Sequence, residues 1–444
     1  MSAPYSVQPQ AKPFDGPPVK VPGSKSITNR ALIVASLAEG DSLLGGALFS
    51  DDSRHMVESL NELGVPVQVD HDLEIMQVKG QGRPPKRPFG GVVPEVFVGN
   101  AGTAARFLPC LVAAGDADVL FKGDERMSKR PMGELLEVLA SQGAELSLPD
   151  ANGSGPMPGT YPFRLNGKGL RGGAVSLDAT HSSQFASGLL MAAPYAKAPI
   201  SLTVTGDRQQ IPYVDITAEV MRQFGVAVRR EGNVFHVPLG HYKAIERYGI
   251  EPDLSAAAYF FAATTLIGGK VTVLGTQAQA MQGDIRFLKV LQHLGASFYQ
   301  DEQGLTLEKD PSAPLKGGLT VDMNAFSDQA LTLAAMAPFA DGPISVKNIA
   351  HTREQECDRI KAAVENLKLL GIQAEEQPDG FTVHPGIPKG ASLPSYGDHR
   401  VAMAFSLVGL KVPGVSIQDP GCVAKTFADY WQALEAFQAG RPRA

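Results

Sequence analysis

At 444 residues the chain is too long for one ordinary hydrophobic core, so two or three domains are expected. Apolar residues make up 43% and charged residues 19%, a globular composition that excludes a disordered or fibrous chain. The formal charge of −6 excludes a broadly basic surface for nucleic acid, so any anionic ligand must be met by a local cluster of Lys and Arg.

The first residues, MSAPYSVQPQAKPF, lack a charged stretch followed by an apolar one, so no signal peptide is expected. The longest apolar run, around 256–267, is too short to cross a bilayer. These features predict a cytoplasmic protein with no membrane partner. Cys110, Cys357 and Cys422 have neither metal-ligand spacing nor the even count of a disulfide framework.

The next stretch, VPGSKSITNRALIVASLAEG (Val21–Gly40), puts small polar residues and a lysine before an apolar helical run. Unpaired N–H groups, the helix dipole and Lys25 can then face one anion, with Arg30 a turn further on the same face. The P-loop order is absent, because Ser24 separates Gly23 from Lys25. GNAGTAAR (99–106) again opens a helix, with glycines that permit close backbone approach or simply a tight turn. In HSSQF (181–185) the serines read equally as helix caps or as ligand contacts. Arginines and acids gather in GDERMSKRPMG (123–133), HTREQECDR (351–359) and YGDHRVAM (396–403). Glu356 and Arg359 share a helix face, as an ordinary surface ion pair would. Lys425, in AKTFADY, is another cation at a helix start. No dinucleotide fingerprint, serine elbow or metal-ligand cluster is present.

Two patterns recur along the whole chain. Amphipathic runs end in a glycine followed by an alternating strand at Gly64, Gly143, Gly225, Gly295 and Gly371; at Gly440 the strand is missing. Between them lie six helices of small apolar residues with polar starts, marked by Lys25, Asn100, Ser182, Asp253, Asp328 and Asp398, at steps of 70 to 82 residues. Six α/β units therefore fill the chain. Their buried helices carry polar N-terminal ends that can share space around more than one acidic group.

The motifs PGSKSxxNR, GNAGTAxR, RMxxRPMG, SSQF, GDHRxAM and AKTFxDY, in this order between Val19 and Tyr430, resemble those of the EPSP synthases of the enolpyruvyl transferase family. The resemblance implies six βαβαββ repeats, three per domain, with buried helices converging on an inter-domain cleft. It implies domains of 24–250 and of 1–23 with 251–444, the N-terminal segment supplying the strand missing after Gly440. It also implies transfer of the enolpyruvyl group of phosphoenolpyruvate to the 5-hydroxyl of shikimate 3-phosphate, by a monomer that needs no metal or organic cofactor.

Carried over by motif, Lys25, Asp328 and Glu356 are the proton-transfer residues. Phosphoenolpyruvate is expected at Lys25, Asn100, Gly102, Arg130, Gln184, Arg359, Arg400 and Lys425. Shikimate 3-phosphate is expected at Lys25, Ser26, Arg30, Ser182, Ser183, Gln184, Gln210, Tyr213, Asp328, His351 and Gln355. Three positions depart from the family pattern: His351 stands for an asparagine, Gln355 for a lysine, and Gln210 for a serine. All three lie on the acceptor side, so an acceptor that is a related cyclic hydroxy acid stays open beside shikimate 3-phosphate, as does a non-catalytic ligand-binding relative. A UDP-N-acetylglucosamine enolpyruvyl transferase is disfavoured, since GDERMSKRPMG carries no loop cysteine.

Overall fold

The computed structural model describes residues 3–86, 91–148, 158–206 and 211–442. The chain divides into two compact units: a central one, 23–250, and a terminal one joining residues up to Pro22 with 251–444. Gly23, expected with the residues before it, belongs to the central unit. It lies against the Gly46 carbonyl, where a Cβ would not fit.

Each unit is a threefold repetition of one motif. In the central unit a parallel strand pair is extended by two antiparallel strands in two complete sheets, Glu95–Phe97/Asp118–Lys122/Phe163–Asn166/Glu145–Ser147 and Gly173–Asp178/Ile200–Thr205/Val234–Val237/Arg229–Glu231. The first sheet begins inside the repeat at Glu39–Gly45, and its parallel partner comes from the far end of the unit, Arg247–Gly249. The terminal unit solves the same problem with the N-terminal segment. Phe14–Asp15 pairs parallel to Gly269–Leu274, and Tyr5–Ser6 runs antiparallel to Ser416–Ile417. That second strand takes the third place in its sheet, which has three strands among the described residues, so the expected strand after Gly440 is not supplied by the N-terminal segment.

The glycine stops behave as the pattern requires. Gly64, Gly143, Gly225, Gly295, Gly371 and Gly440 all have positive φ, between 61° and 111°, which glycine adopts without steric cost. Each repeat also has one helix buried on every side. Small side chains make that possible: in Leu254–Ile267 every residue from Leu254 to Leu266 is buried. The helices Lys25–Leu37, Gly102–Ala113 and Ser183–Ala192 pack on one another in the central unit. Leu254–Ile267, Ala330–Met336 and His399–Gly409 do so in the terminal unit.

One helix begins later than its sequence predicts. Asn324–Gln329 is a 3-10 segment broken at Phe326 (φ −147°, ψ 43°), and regular helix starts only at Ala330. Its side chains are committed elsewhere: Ser327 to His351 at 2.9 Å, and Gln329 to Asp284 at 2.8 Å. Tertiary hydrogen bonds here override local helical preference.

Candidate active site

Polar residues gather at or near helix starts in each unit, but Glu356 precedes the Arg359–Leu369 helix rather than sharing its face with Arg359, and Lys425 ends the 3-10 segment Pro420–Lys425 rather than opening a helix. In the central unit Lys25 is the first residue of its helix, and its ammonium lies 3.5 Å from the buried Asp52 carboxylate. Arg30 is fully buried. Its guanidinium donates to Thr217 Oγ1 (2.7 Å), Ser187 Oγ (3.1 Å) and the carbonyls of Ser26 (2.8 Å) and Tyr213 (3.0 Å), and it lies over the Phe107 ring. Every one of these acceptors is neutral, and burial pulls the Arg30 guanidinium down to about 10. Arg30 thus braces Ser26 and Tyr213 from behind.

Arg106 and Arg130 flank the start of the glycine-rich helix. A Cβ on Gly102 would sit 3.2 Å from Arg130 Nη2 and 3.5 Å from Arg106 Nη1, so glycine leaves room for both guanidinium groups beside the helix start. Arg130 donates to Asn100 Oδ1 at 3.4 Å. Arg106 is buried, donates to the Gly102 carbonyl at 3.3 Å, and its Nε has no protein partner. Burial and then the neighbouring Arg130 charge lower it well below the ordinary guanidinium value. A buried guanidinium beside a second, half-buried one favours an anion nearby. Ser182 caps its helix by accepting from the Gln184 N–H at 3.2 Å, Ser183 is buried behind it, and Gln184 Oε1 is buried without a protein donor.

The terminal unit carries compensated charges instead. Asp328 is gripped on both oxygens, Oδ1 by Arg359 (2.9 Å) and Oδ2 by Arg400 (2.7 Å). Arg359 also meets Asp398 at 2.8 Å, and Asp398 caps the His399–Gly409 helix through the Arg400 N–H. Glu356 receives the Lys425 ammonium at 3.1 Å on one oxygen and the His399 ring at 2.8 Å on the other. Burial works to raise the Glu356 carboxyl, yet His399, Lys425 and Arg359 together hold it well below the usual carboxylate range. Burial also pulls His399 below its ordinary value, so near neutrality the ring gives Glu356 a hydrogen bond rather than a charge.

Glu356, Asp398 and His399 bring donor atoms within 4.8 Å of one another, as a cation site would. Arg359 and Lys425 already face those carboxylates, which disfavours a metal there.

This arrangement can bind a dianion and move protons beside it. The residues match a known family. Residues 11–434 fit EPSP synthase, described as 3-phosphoshikimate 1-carboxyvinyltransferase.

The chain belongs to the EPSP synthase family.

Within it, the 3-phosphoshikimate 1-carboxyvinyltransferase of Nostoc punctiforme is 43% identical over 418 residues, covering 93% of this chain and 94% of the relative. That of Vibrio campbellii is 40% identical, covering 94% and 96%. The solved structure of EPSP synthase from Acinetobacter baumannii superposes with a TM-score of 0.80 at 26% identity, covering 98% of each chain. The two-domain enolpyruvyl transferase fold is therefore the fold of this chain.

The three departures from the family pattern fall unevenly. His351 is buried and bonded to Ser327, and Gln355 turns its amide oxygen onto Arg359. Gln210 lies outside the described residues. Asp52, Arg106, Asp398 and His399 were not singled out in the sequence as site residues. Each contacts a candidate residue that is distant in the chain or hidden in a motif read for another member, and no local pattern marks such a partner.

Proposed function

We propose that this member of the EPSP synthase family joins carbon 2 of phosphoenolpyruvate to the 5-oxygen of shikimate 3-phosphate and releases inorganic phosphate. The observation that carries the reading is the network of Asp328, Glu356 and Asp398 with Arg359, Arg400 and Lys425. Planar guanidinium groups suit the carboxylate and phosphate of phosphoenolpyruvate, and two carboxylates stand ready to exchange protons.

In the first step the acceptor hydroxyl attacks carbon 2 while carbon 3 takes a proton, and the hydroxyl proton passes to a base, here Asp328. Lys25 and Glu356 are the candidates at carbon 3. In the second step carbon 3 loses a proton as the carbon 2–phosphate bond breaks, restoring the double bond. An arriving dianion that drew Lys425 and Arg359 onto itself would weaken their hold on Glu356. Its proton affinity would rise, making Glu356 able to carry a proton near pH 7. Asn100, Gly102 and Arg130 would hold the phosphoenolpyruvate side. Ser26, Ser182, Ser183, Gln184 and Tyr213 would hold the acceptor, with Arg30 bracing two of them. The chain would act as a cytoplasmic monomer without a metal or organic cofactor.

A second reading, a related cyclic hydroxy acid as acceptor, is favoured by Gln355 turning onto Arg359 where a lysine would offer a free cation. Phosphate release from phosphoenolpyruvate tests both. Release that depends on shikimate 3-phosphate is expected; phosphoenolpyruvate binding with no such release would overturn the acceptor assignment.

A further inference from the structure

The terminal unit buries one carboxylate that this chemistry leaves unused. Asp284 lies in the short turn Gly283–Arg286. Both of its hydrogen bonds fall on one oxygen: Ser255 Oγ donates to Oδ1 at 2.9 Å, and Gln329 Nε2 donates to the same atom at 2.8 Å. Ser255 is in the first turn of the Leu254–Ile267 helix, and Gln329 directly follows Asp328. Gln329 is held in turn, its Oε1 accepting from Thr332 Oγ1 at 3.1 Å. Asp284 therefore ties the start of one buried helix to the segment that presents Asp328.

A tie alone would not need a charge. An amide oxygen accepts the same two bonds, whereas burying a carboxylate without a cation bonded to it is costly. The charged groups facing Asp284 are Asp328, Arg400 and Asp253, with Arg359 on the other oxygen of Asp328 and Tyr259 against Arg400. Burial, and next the Asp328 carboxylate, push Asp284 up to about 6.

We propose that Asp284 is a positioning residue for the transfer: its bond to Gln329 aims Asp328, and its negative charge makes Asp328 a stronger proton acceptor. This rests on the reading of Asp328 as the base. That charge would act against the pull of the two arginines that grip Asp328.

Asp284→Asn separates charge from tie, because the asparagine Oδ1 still accepts from Ser255 and Gln329. Ser255→Ala does the opposite, removing one bond while the charge stays. The experiment is the pH profile of kcat for the wild type, both variants and Asp328→Asn. Two carboxylates that interact by about 1 pH unit titrate as a pair, so Asp284→Asn should move the acid limb about 1 unit lower and reduce kcat on the plateau. KM for both substrates should hold, and Ser255→Ala should keep the wild-type limb. An Asp284→Asn profile that superposes on the wild type, or equal shifts in both variants, overturns the proposal. If Asp328→Asn itself keeps near-normal kcat, the base assignment falls and takes the proposal with it; if Asp328→Asn collapses, the Asp284 result stands on its own.

Discussion

Apart from Lys25, which meets Asp52, the two polar clusters handle charge in opposite ways. In the central unit, Arg30 and Arg106 are buried with no carboxylate among the described residues bonded to them, and Arg106 sits beside a second guanidinium, Arg130. In the terminal unit, Arg359, Arg400 and Lys425 are each paired with a carboxylate. The first pattern costs stability and makes the protein ready to receive an anion. The second is balanced at rest, and an anion changes it by exchanging partners. On the proposed reading the uncompensated cations serve recognition alone, while the compensated ones both hold the anion and, by changing partners, free a carboxylate for proton transfer.

The largest effect should come from the balanced cluster. Glu356→Gln keeps shape but cannot exchange a proton, which typically costs about 10²–10⁴ in rate. Steady-state phosphate release should fall by that factor, while calorimetric binding of both substrates survives. Near-normal turnover would reduce Glu356 to the partner of an ion pair.

Stability separates the clusters next. Arg359→Met leaves Asp398 buried without its cation, so a loss of about 3–5 kcal/mol is expected in denaturant unfolding. Arg106→Met removes a buried charge with no counter-ion, so its unfolding midpoint should hold or rise. The same variant should weaken phosphoenolpyruvate, since a charged hydrogen bond is worth about 1.5–3 kcal/mol, or roughly 10–100-fold in KM. A destabilised Arg106→Met with unchanged KM would erase the distinction.

The smallest effect concerns the acceptor. Gln355→Lys restores a cation beside Arg359 in a partly open position, where a charge contact contributes about 1 kcal/mol or less. The shikimate 3-phosphate KM should hold or fall by up to about fivefold. A rise would mean the position is shaped for a different acceptor.

Much of this fold was legible because its signals are local. Glycine stops at Gly64 through Gly440 and the polar starts of small-residue helices mark the repeats directly. The missing strand after Gly440 pointed to the N-terminal segment, yet Tyr5–Ser6 takes the place of the next strand in the pattern, and the sheet stays three-stranded. What stayed hidden depends on partners far along the chain. Nothing local tells that Arg30 is spent on Thr217 and Ser187, or that Asn324–Gln329 leaves the helical path for bonds to His351 and Asp284. Asp52 and His399 were invisible for the same reason: an acid in a helix start or a histidine in a motif acquires meaning only from the side chain packed against it.

The division of labour is tested most directly by turnover in deuterium oxide. If carbon 3 is protonated and then deprotonated, deuterium should enter the methylene group of the transferred enolpyruvyl unit. The wild type should show it, and Arg106→Met should show it equally at saturating phosphoenolpyruvate. Glu356→Gln should incorporate deuterium slower by the same factor as its turnover. Wild-type incorporation rates in Glu356→Gln, or loss of incorporation in saturated Arg106→Met, would contradict the assignment of proton transfer to the balanced cluster.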